Sequence, residues 1–213
     1  MAHPLKSPKK SYTYADYLTW PDDERWELID GEAFDMTPAP NPVHQGISME
    51  LSRQLANFFL GKPCRVFAAP FDVRLPKRSE SDLRTTTVVQ PDILVVCDTE
   101  KIDNRGCRGA PDLAIEILSP SSVSHDQLRK LNLYESRGVR EYWIIHVEGS
   151  VMVFRLGESG RYGRPETHDR TTKIETPLFP GLTIDLSIVF PENTRVVKQS
   201  PRGYSAGKTS ERS

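Results

Sequence analysis

Two acidic residues lie in segments that are otherwise typical of buried β-strands. Asp92 lies in the run QPDILVV, and Glu116 lies in the run LAIEILS. A carboxylate on a buried strand needs a partner, because desolvation otherwise raises its pKa or costs several kcal/mol. Three arrangements meet that need: an ion pair, a hydrogen-bonded cap at a strand end, or a metal ion.

The two acids favour a divalent-metal site if their strands are adjacent. Neighbouring carboxylates repel each other unless a cation lies between them. A small number of oxygen ligands suits Mg²⁺ or Mn²⁺, which keep several waters and use one or two protein carboxylates together with a substrate phosphate. The alternative stays open at this point: Asp92 caps a turn, and Glu116 pairs with an arginine or a lysine.

A third residue with suitable chemistry, Lys130, follows in a segment predicted to be helical. Leu128, Leu131 and Tyr134 mark the buried face of this helix, and Lys130 lies close to the edge of that face. A lysine that reaches two strand carboxylates would orient an attacking water or stabilise the charge that develops on a phosphate. The alternative is a surface lysine paired with Asp126 one helical turn away.

The elements that must position these residues form a mixed order of helices and strands. Asp30-Gly31 predicts a two-residue hairpin within residues 25–37. Hydrophobic spacing and end signals predict helices at 13–20, 43–60 and 124–137. Apolar alternation and apolar runs predict strands at 64–75, 88–97, 112–118, 141–147 and 150–156, with weaker signals near 174–176 and 182–186. This order predicts a mixed α/β domain with a sheet core.

Length and composition predict one globular domain. The chain has 213 residues, of which 27% are charged and 37% hydrophobic, and its net charge is −1. A nucleic-acid partner must therefore be held by a local basic patch. We expect the domain to span 12–195, with disordered segments at 1–11 and 196–213.

Targeting signals and cysteines point to the cytoplasm. The N-terminus lacks the apolar region of a secretory signal, and no apolar stretch approaches the ~20 residues of a membrane span. Cys64, Cys97 and Cys107 are odd in number and have no CxxC spacing. They predict neither a disulfide framework nor a zinc site, and they indicate a reducing compartment.

Several segments together resemble one known family. In chain order they are ERWELIDGEAFDM (24–36), PNPVHQGISMEL (40–51), FDVRL (71–75), QPDILVV (90–96), PDLAIEILSPSS (111–122), DQLRKLNLYESRGVREYWII (126–145) and FPGLTIDL (179–186). The series is similar to a large bacterial family of restriction endonuclease-like proteins of unknown physiological role, within the PD-(D/E)XK nuclease superfamily. It covers roughly residues 12–190.

The resemblance implies a fold and a set of site residues. The fold is a restriction-endonuclease-like core: a central mixed sheet flanked by helices, with an N-terminal β-hairpin. Asp92 corresponds to the acid of the PD motif and Glu116 to the acid of the second half-motif. The superfamily's usual lysine would fall at Leu118, so the resemblance assigns its role to Lys130 on the following helix. Glu27 matches the family's hairpin acid and would line the cleft or complete the metal shell.

Other polar residues are secondary candidates. His44 and Glu50 lie in the helical segment where superfamily members add a polar contact. Gln90 would contact a metal-bound water. The SPSS segment (119–122) would cap the next helix or contact a phosphate, since it lacks the GxSxG setting of a serine hydrolase.

The expected function is Mg²⁺- or Mn²⁺-dependent endonucleolytic hydrolysis of DNA by a homodimer. Asp92 and Glu116 would hold the metal, and Lys130 and Glu27 would complete the catalytic set. Two alternatives stay open: a catalytically inactive nuclease fold that serves binding or assembly, and a hydrolase of small phosphoesters. Loop cations that would contact DNA phosphates are Lys77, Arg78, Arg84, Arg105 and Arg108.

Overall fold

The structure is a computed structural model, and it describes five stretches of the chain. These are residues 11–21, 23–36, 41–77, 80–118 and 125–190. The segments predicted to be disordered therefore lie almost wholly outside the described residues, as does the SPSS loop. Within the described stretches, no helix has the length and apolar character needed to cross a membrane.

A six-stranded mixed sheet forms the centre of the fold. In spatial order its strands are Glu166–Asp169 (β12), Ser150–Arg155 (β11), Glu141–His146 (β10), Leu113–Leu118 (β9), Ile93–Val96 (β6) and Arg65–Ala68 (β3). The β9–β10 pair is parallel, and the other neighbouring pairs are antiparallel. The predicted central mixed sheet is confirmed.

A second six-stranded sheet, built on the N-terminal hairpin and made of shorter strands, packs beside the central one. In spatial order its strands are Glu32–Asp35 (β2), Trp26–Ile29 (β1), Val88–Val89 (β5), Val73–Arg74 (β4), Gly106–Arg108 (β8) and Ile102–Asp103 (β7). The hairpin turns at Asp30-Gly31, as predicted, and both residues have positive φ (48° and 88°). That backbone is the one a two-residue type I′ turn requires.

Four α-helices and a two-stranded ribbon lie around the two sheets in the described residues. The helices are Tyr14–Tyr17 (α1), Pro42–Phe59 (α2), His125–Arg137 (α3) and Leu186–Val189 (α4), and the ribbon pairs Lys173–Glu175 (β13) with Thr183–Asp185 (β14). Asn41 caps α2 by accepting a hydrogen bond from the His44 amide at 2.9 Å. α2 buries Ile47, Leu51 and Leu55, whose spacing of four residues keeps them on one helix face.

The central strands are buried on both faces, which explains their continuous apolar sequences. In β9, Leu113, Ile115 and Ile117 belong to the core shared with α2. Ala114 lies in the core on the opposite face, which also contains Leu133 and Tyr134 of α3. Because side chains alternate along a strand, Glu116 faces the α3 side together with Ala114.

Three predictions about local structure were wrong. The segment 64–75 is not one strand: Pro70, which has no backbone N–H to donate, separates β3 from β4, and these belong to different sheets. The run 88–97 is likewise divided by Pro91 into β5 and β6. On α3, Leu128 is 61% exposed rather than buried.

The prediction of reduced cysteines was also wrong for two of the three. Cys64 and Cys97 form a disulfide, and Cys107 is free and buried. The antiparallel pairing of β3 with β6 sets Arg65 opposite Val96, so the residues that flank this pair face each other across the two strands. A pairing of this kind depends on sheet register, which cysteine spacing does not reveal. The cysteines therefore give no support to the predicted cytoplasmic location.

Candidate active site

Asp92 and Glu116 lie next to each other on adjacent strands. β6 and β9 are antiparallel, with Ile93 opposite Ile115. The same register continued by one residue sets Asp92 opposite Glu116. Beyond the last residue pair of the two strands, the Asp92 side chain bonds to the backbone of β9: its Oδ2 accepts a hydrogen bond from the Ile117 amide at 2.8 Å. The condition set by the sequence, adjacency of the two strands, is met.

Glu116 is buried and accepts two hydrogen bonds from α3. The Lys130 ammonium lies 3.0 Å from Glu116 Oε1, and the Tyr134 hydroxyl donates to the same oxygen at 2.8 Å. Lys130 and Tyr134 are four residues apart, so they lie on the same helix face one turn from each other. Glu116 remains 5% exposed and Lys130 6% exposed.

Lys130 also binds the acid from the hairpin. Its ammonium lies 2.9 Å from Oε1 of Glu27 on β1, and that oxygen accepts a hydrogen bond from the Gln90 amide at 2.9 Å. Lys130 thus bridges two buried carboxylates that come from two different sheets. The alternative of a surface lysine paired with Asp126 does not describe this residue.

The inward position of Lys130 follows from the actual buried face of α3. That face contains Lys130, Leu133 and Tyr134, with Leu131 partly buried beside it. Of the predicted face of Leu128, Leu131 and Tyr134, only Leu128 points away from the core. Leu133 and Tyr134 pack among the apolar residues between the two sheets. A lysine one helical turn before them is therefore directed at the sheet rather than at solvent.

Asp92 has a second partner on α2. Nε2 of His44 lies 3.2 Å from Asp92 Oδ2, the oxygen that also accepts from Ile117. The His44 side chain is 12% exposed and that of Asp92 17% exposed, so this contact is largely shielded from water. His44 was a secondary candidate from the sequence, and the structure brings it to the site.

The electrostatic environment of Glu116 is unusual for a carboxylate. Burial raises its pKa to about 8, against the lowering effect of Lys130 and with further raising by the charges of Asp92 and Glu27. Burial also raises the pKa of Tyr134, and the charge of Glu116 adds to the increase. Tyr134 therefore stays a neutral hydroxyl donor. Three acids and one lysine leave this pocket with an excess of negative charge when all of them are ionised.

The remaining candidates are placed elsewhere or engaged otherwise. Glu50 forms an ion pair with Arg53 on the same helix, at 2.5 Å. The side-chain amide of Gln90 donates to Asp72 at 2.9 Å and to the Tyr17 hydroxyl at 3.2 Å. The backbone N–H of Gln90 is the group that donates to Glu27.

Two of the predicted DNA-contacting cations are engaged in surface ion pairs. Lys77 lies 3.1 Å from Asp30, and Arg108 lies 3.3 Å from Asp82. Arg84 and Arg105 are exposed, and Arg78 lies outside the described residues.

Tyr134 is the site residue that the sequence did not reveal. Its spacing with Leu128 and Leu131 assigned it to the apolar face, and it is indeed fully buried there. The sequence signal for Tyr134 is its spacing of four residues from Lys130, which places the two side chains on the same helix face, one turn apart. A tyrosine buried in a core needs a hydrogen-bond partner for that hydroxyl, and Glu116 is the partner.

The donor set at this site fits a hard divalent cation with few protein ligands. Asp92 and Glu116 supply carboxylate oxygens from opposed positions, and the charge of Asp92 raises the pKa of Glu116. A cation bound between two such acids would relieve their repulsion. Within the described stretches no group of three or more acidic, histidine or cysteine residues is arranged to hold a metal. Paired carboxylate oxygens are the donors that hard divalent cations such as Mg²⁺ and Mn²⁺ take, often with only one or two protein ligands.

Comparison with known proteins identifies the family. Residues 14–187 match the Uma2 family, which is described as "Putative restriction endonuclease". This match covers most of the chain, so the protein belongs to the Uma2 family. The resemblance to restriction endonuclease-like proteins seen in the sequence is confirmed.

One relative and one solved structure extend the comparison. The chain is 24% identical over 155 residues to "Uncharacterized protein slr1290" of Synechocystis sp., a match that covers 72% of this chain and 77% of that protein. It is also similar to the crystal structure of "a putative nuclease belonging to DUF820" from Anabaena variabilis. That match has a TM-score of 0.66 and 20% identity, and it covers 84% of this chain and 97% of the other. The likeness confirms the restriction endonuclease-like fold.

Proposed function

We propose that this protein is a divalent-metal-dependent endonuclease that hydrolyses phosphodiester bonds in DNA. The observation that carries the proposal is the bridge that Lys130 forms between Glu27 and Glu116, with Asp92 close enough for its charge to raise the pKa of Glu116. The sequence placed these four residues in one site, and their contacts support that assignment. Membership of the Uma2 family supports the nuclease class.

Asp92 and Glu116 are the residues that would hold Mg²⁺ or Mn²⁺. A bound divalent ion would polarise the scissile phosphate and lower the pKa of a water molecule. The protein's part is to fix the two carboxylates. The Ile117 amide and His44 hold Asp92, while Tyr134 and Lys130 hold Glu116.

Lys130 supplies the positive charge of the site. Its ammonium lies within hydrogen-bond distance of Glu27 and Glu116, so it is held in a fixed position by two acids. From there it would orient the attacking water or stabilise the negative charge that develops on the phosphate. Glu27 acts by positioning Lys130, and the Gln90 amide in turn fixes Glu27.

DNA as substrate, a homodimer and a cytoplasmic location complete the proposal. DNA is supported by the restriction endonuclease-like family. Cutting both strands of a duplex symmetrically requires two active sites related by a two-fold axis, which a homodimer provides. Exposed Arg84 and Arg105 would contribute phosphate contacts of the kind that position a nuclease on its substrate.

A second candidate is a catalytically inactive nuclease fold used for binding or assembly. The observation that favours it is the bridging of Glu27 and Glu116 by Lys130, which satisfies two buried acids without a metal. In that case the ion pair is structural and the domain contributes a surface rather than a reaction. The two candidates differ in whether the acids support metal-dependent cleavage.

A plasmid-nicking assay separates the two candidates. Supercoiled plasmid is incubated with wild type, Asp92→Asn and Glu116→Gln in Mg²⁺ or Mn²⁺, and in EDTA. Glu50→Gln is the matched control, because it removes an acid whose partners are Arg53 and Gln54 rather than the site residues. The nuclease proposal requires nicking by wild type and Glu50→Gln that both site variants and EDTA abolish. Equal nicking by Asp92→Asn would show that the assigned residues do not form the site.

A further inference from the structure

We infer that His44 and Tyr134 are positioning residues that lock the two metal-binding carboxylates, so that each presents one unoccupied oxygen to the same space. The inference rests on the proposed function, because it takes Asp92 and Glu116 as the metal ligands. It adds a role for two side chains that belong to different helices, α2 and α3, on opposite faces of the central sheet.

Two described side chains contact Glu116, and both reach the same one of its two oxygens. Oε1 receives the Tyr134 hydroxyl at 2.8 Å and the Lys130 ammonium at 3.0 Å. Among the residues that the structure describes, none donates a hydrogen bond to Oε2. One oxygen is thus used to hold the side chain, and the other is available to a ligand.

Asp92 shows the same division. Oδ2 receives the Ile117 amide at 2.8 Å and lies 3.2 Å from Nε2 of His44. Within the described part of the chain, no group donates to Oδ1. Each carboxylate therefore has one oxygen that makes two contacts and one oxygen to which no described residue donates. Asp92 lies one residue before β6, and the β6–β9 register continued by one residue sets it opposite Glu116.

The two positioning side chains are themselves held rigidly. The Tyr134 ring is fully buried, and it packs on the Tyr142 ring with centroids 4.8 Å apart. His44 lies in the first turn of α2, where its amide binds the Asn41 cap. If Nε2 carries the hydrogen that Asp92 accepts, Nδ1 is unprotonated. Nδ1 is buried and has no hydrogen-bond partner among the described residues, so the ring serves Asp92 alone.

Fixing a carboxylate in advance raises its affinity for a metal. A ligand side chain with a free χ angle loses rotational entropy on binding, whereas a preoriented one does not. Removing an outer-shell hydrogen bond of this kind typically weakens metal binding by about 10- to 100-fold. A purely structural hydrogen bond lowers stability without changing the affinity for a metal.

Tyr134→Phe is the cleanest test, because it removes only the hydroxyl and keeps the ring in the core. Its matched control is Tyr162→Phe, which removes a hydroxyl that donates to the Val139 carbonyl at 2.9 Å. For His44, the test pair is His44→Leu, which has no donor, and His44→Gln, whose side-chain amide reaches a similar distance and restores one.

The measurement is Mn²⁺ binding by calorimetry in the absence of DNA, with folding of each variant checked by circular dichroism. Tyr134→Phe and His44→Leu should raise the Mn²⁺ dissociation constant by about 10- to 100-fold. Tyr162→Phe should leave the dissociation constant unchanged, and His44→Gln should recover most of the loss.

Two outcomes overturn the inference, and they are distinguishable. If wild type binds Mn²⁺ and both Tyr134→Phe and His44→Leu bind it equally well, the positioning roles are refuted while the metal site stands. If wild type binds no Mn²⁺, the proposed metal site fails, and the positioning inference fails with it.

Discussion

Replacement of Lys130 by methionine should destabilise the protein severely above neutral pH. The substitution preserves the length and apolar stem of the side chain but removes the ammonium that lies 2.9 Å from Glu27 and 3.0 Å from Glu116. It therefore leaves two buried carboxylates without their shared cation. Breaking a buried ion pair by removing one partner costs about 3–5 kcal/mol. That is a large part of the ~5–15 kcal/mol by which a typical domain is stable.

The loss of stability in Lys130→Met should depend on pH, and this dependence distinguishes unpaired carboxylates from a packing defect. Burial raises the pKa of Glu116 to about 8, so at about pH 5 its carboxyl is protonated and does not repel the charge of Glu27. The destabilisation by Lys130→Met should therefore be smaller at about pH 5 than above pH 8. A cavity or a packing defect would cost the same free energy at both values. The assay is urea unfolding followed by tryptophan fluorescence, for which the buried Trp143 is a suitable reporter.

Lys173→Met is the matched control. Lys173 is an exposed strand residue that lies 3.4 Å from Asp185, and its side chain is 62% exposed. An exposed pair of this kind contributes less than about 1 kcal/mol. If Lys130→Met cost no more than Lys173→Met at about pH 8, or cost the same at both pH values, Lys130 would not be the buried bridge described here.

Three further predictions follow from other parts of the structure. Burial raises the pKa of Glu116 in the folded protein from 4.5 to about 8, so the folded state holds an extra proton in that interval. Its contribution to the free energy of unfolding should therefore fall as pH rises through that window, and Glu116→Gln should be more stable than wild type at about pH 8 but not at about pH 4. Equal stability differences at both pH values, in parallel urea titrations, would contradict this. Leu51→Ala in the core of α2 should cost about 2–5 kcal/mol, whereas Leu128→Ala on the exposed side of α3 should cost less than about 0.5 kcal/mol. Thermal unfolding of the two variants checks the buried face of each helix, and similar losses would show that the faces are misassigned. Reduction of the Cys64–Cys97 disulfide should lower the free energy of unfolding by about 2–4 kcal/mol, and an unchanged urea midpoint after reduction would count against the bond.

The sequence was sufficient to predict the two strand acids, but it left their proximity conditional on the pairing of their strands. An apolar run that contains one carboxylate is an exception to the pattern of a buried strand, so Asp92 and Glu116 were recognisable as residues that need partners. Whether their strands are adjacent is a matter of topology, and β6–β9 pairing settles it. The order of elements sufficed for the mixed sheet, since long alternating or apolar segments give the strongest signals.

Other features depend on contacts between distant segments and could not be predicted from local patterns. Lys130 was assigned to the edge of the apolar face, because that face was taken to include Leu128. The leucine that disagreed, Leu128, is exposed, while Lys130 is buried by its ion pairs. Glu27 was identified only through the family resemblance. Its contact with the Gln90 amide requires the hairpin to pack beside β5, and no residue pattern encodes that pairing.

The two proline-interrupted segments show a similar limit of local patterns. Alternating residues continue through Pro70, so 64–75 has the hydrophobic pattern of a single strand. The chain instead passes from one sheet to the other at that residue, and the Ala69 amide binds the Asp92 carbonyl at 3.0 Å. That hydrogen bond continues the β3–β6 pairing to Asp92, and the chain beyond Pro70 enters the sheet that carries Glu27. The break in the pattern is thus part of how the site is assembled.

Metal-dependent cleavage is tested by a calorimetric titration of Mn²⁺ or Mg²⁺ into wild type and Asp92→Asn, followed by plasmid nicking under the same conditions. Wild type should bind the metal and nick the plasmid, and Asp92→Asn, while still folded, should do neither. Metal binding and nicking that persist in Asp92→Asn would show that the active site lies elsewhere. Absence of metal binding in wild type would leave Glu27, Lys130 and Glu116 as a structural ion pair in a nuclease fold without nuclease activity.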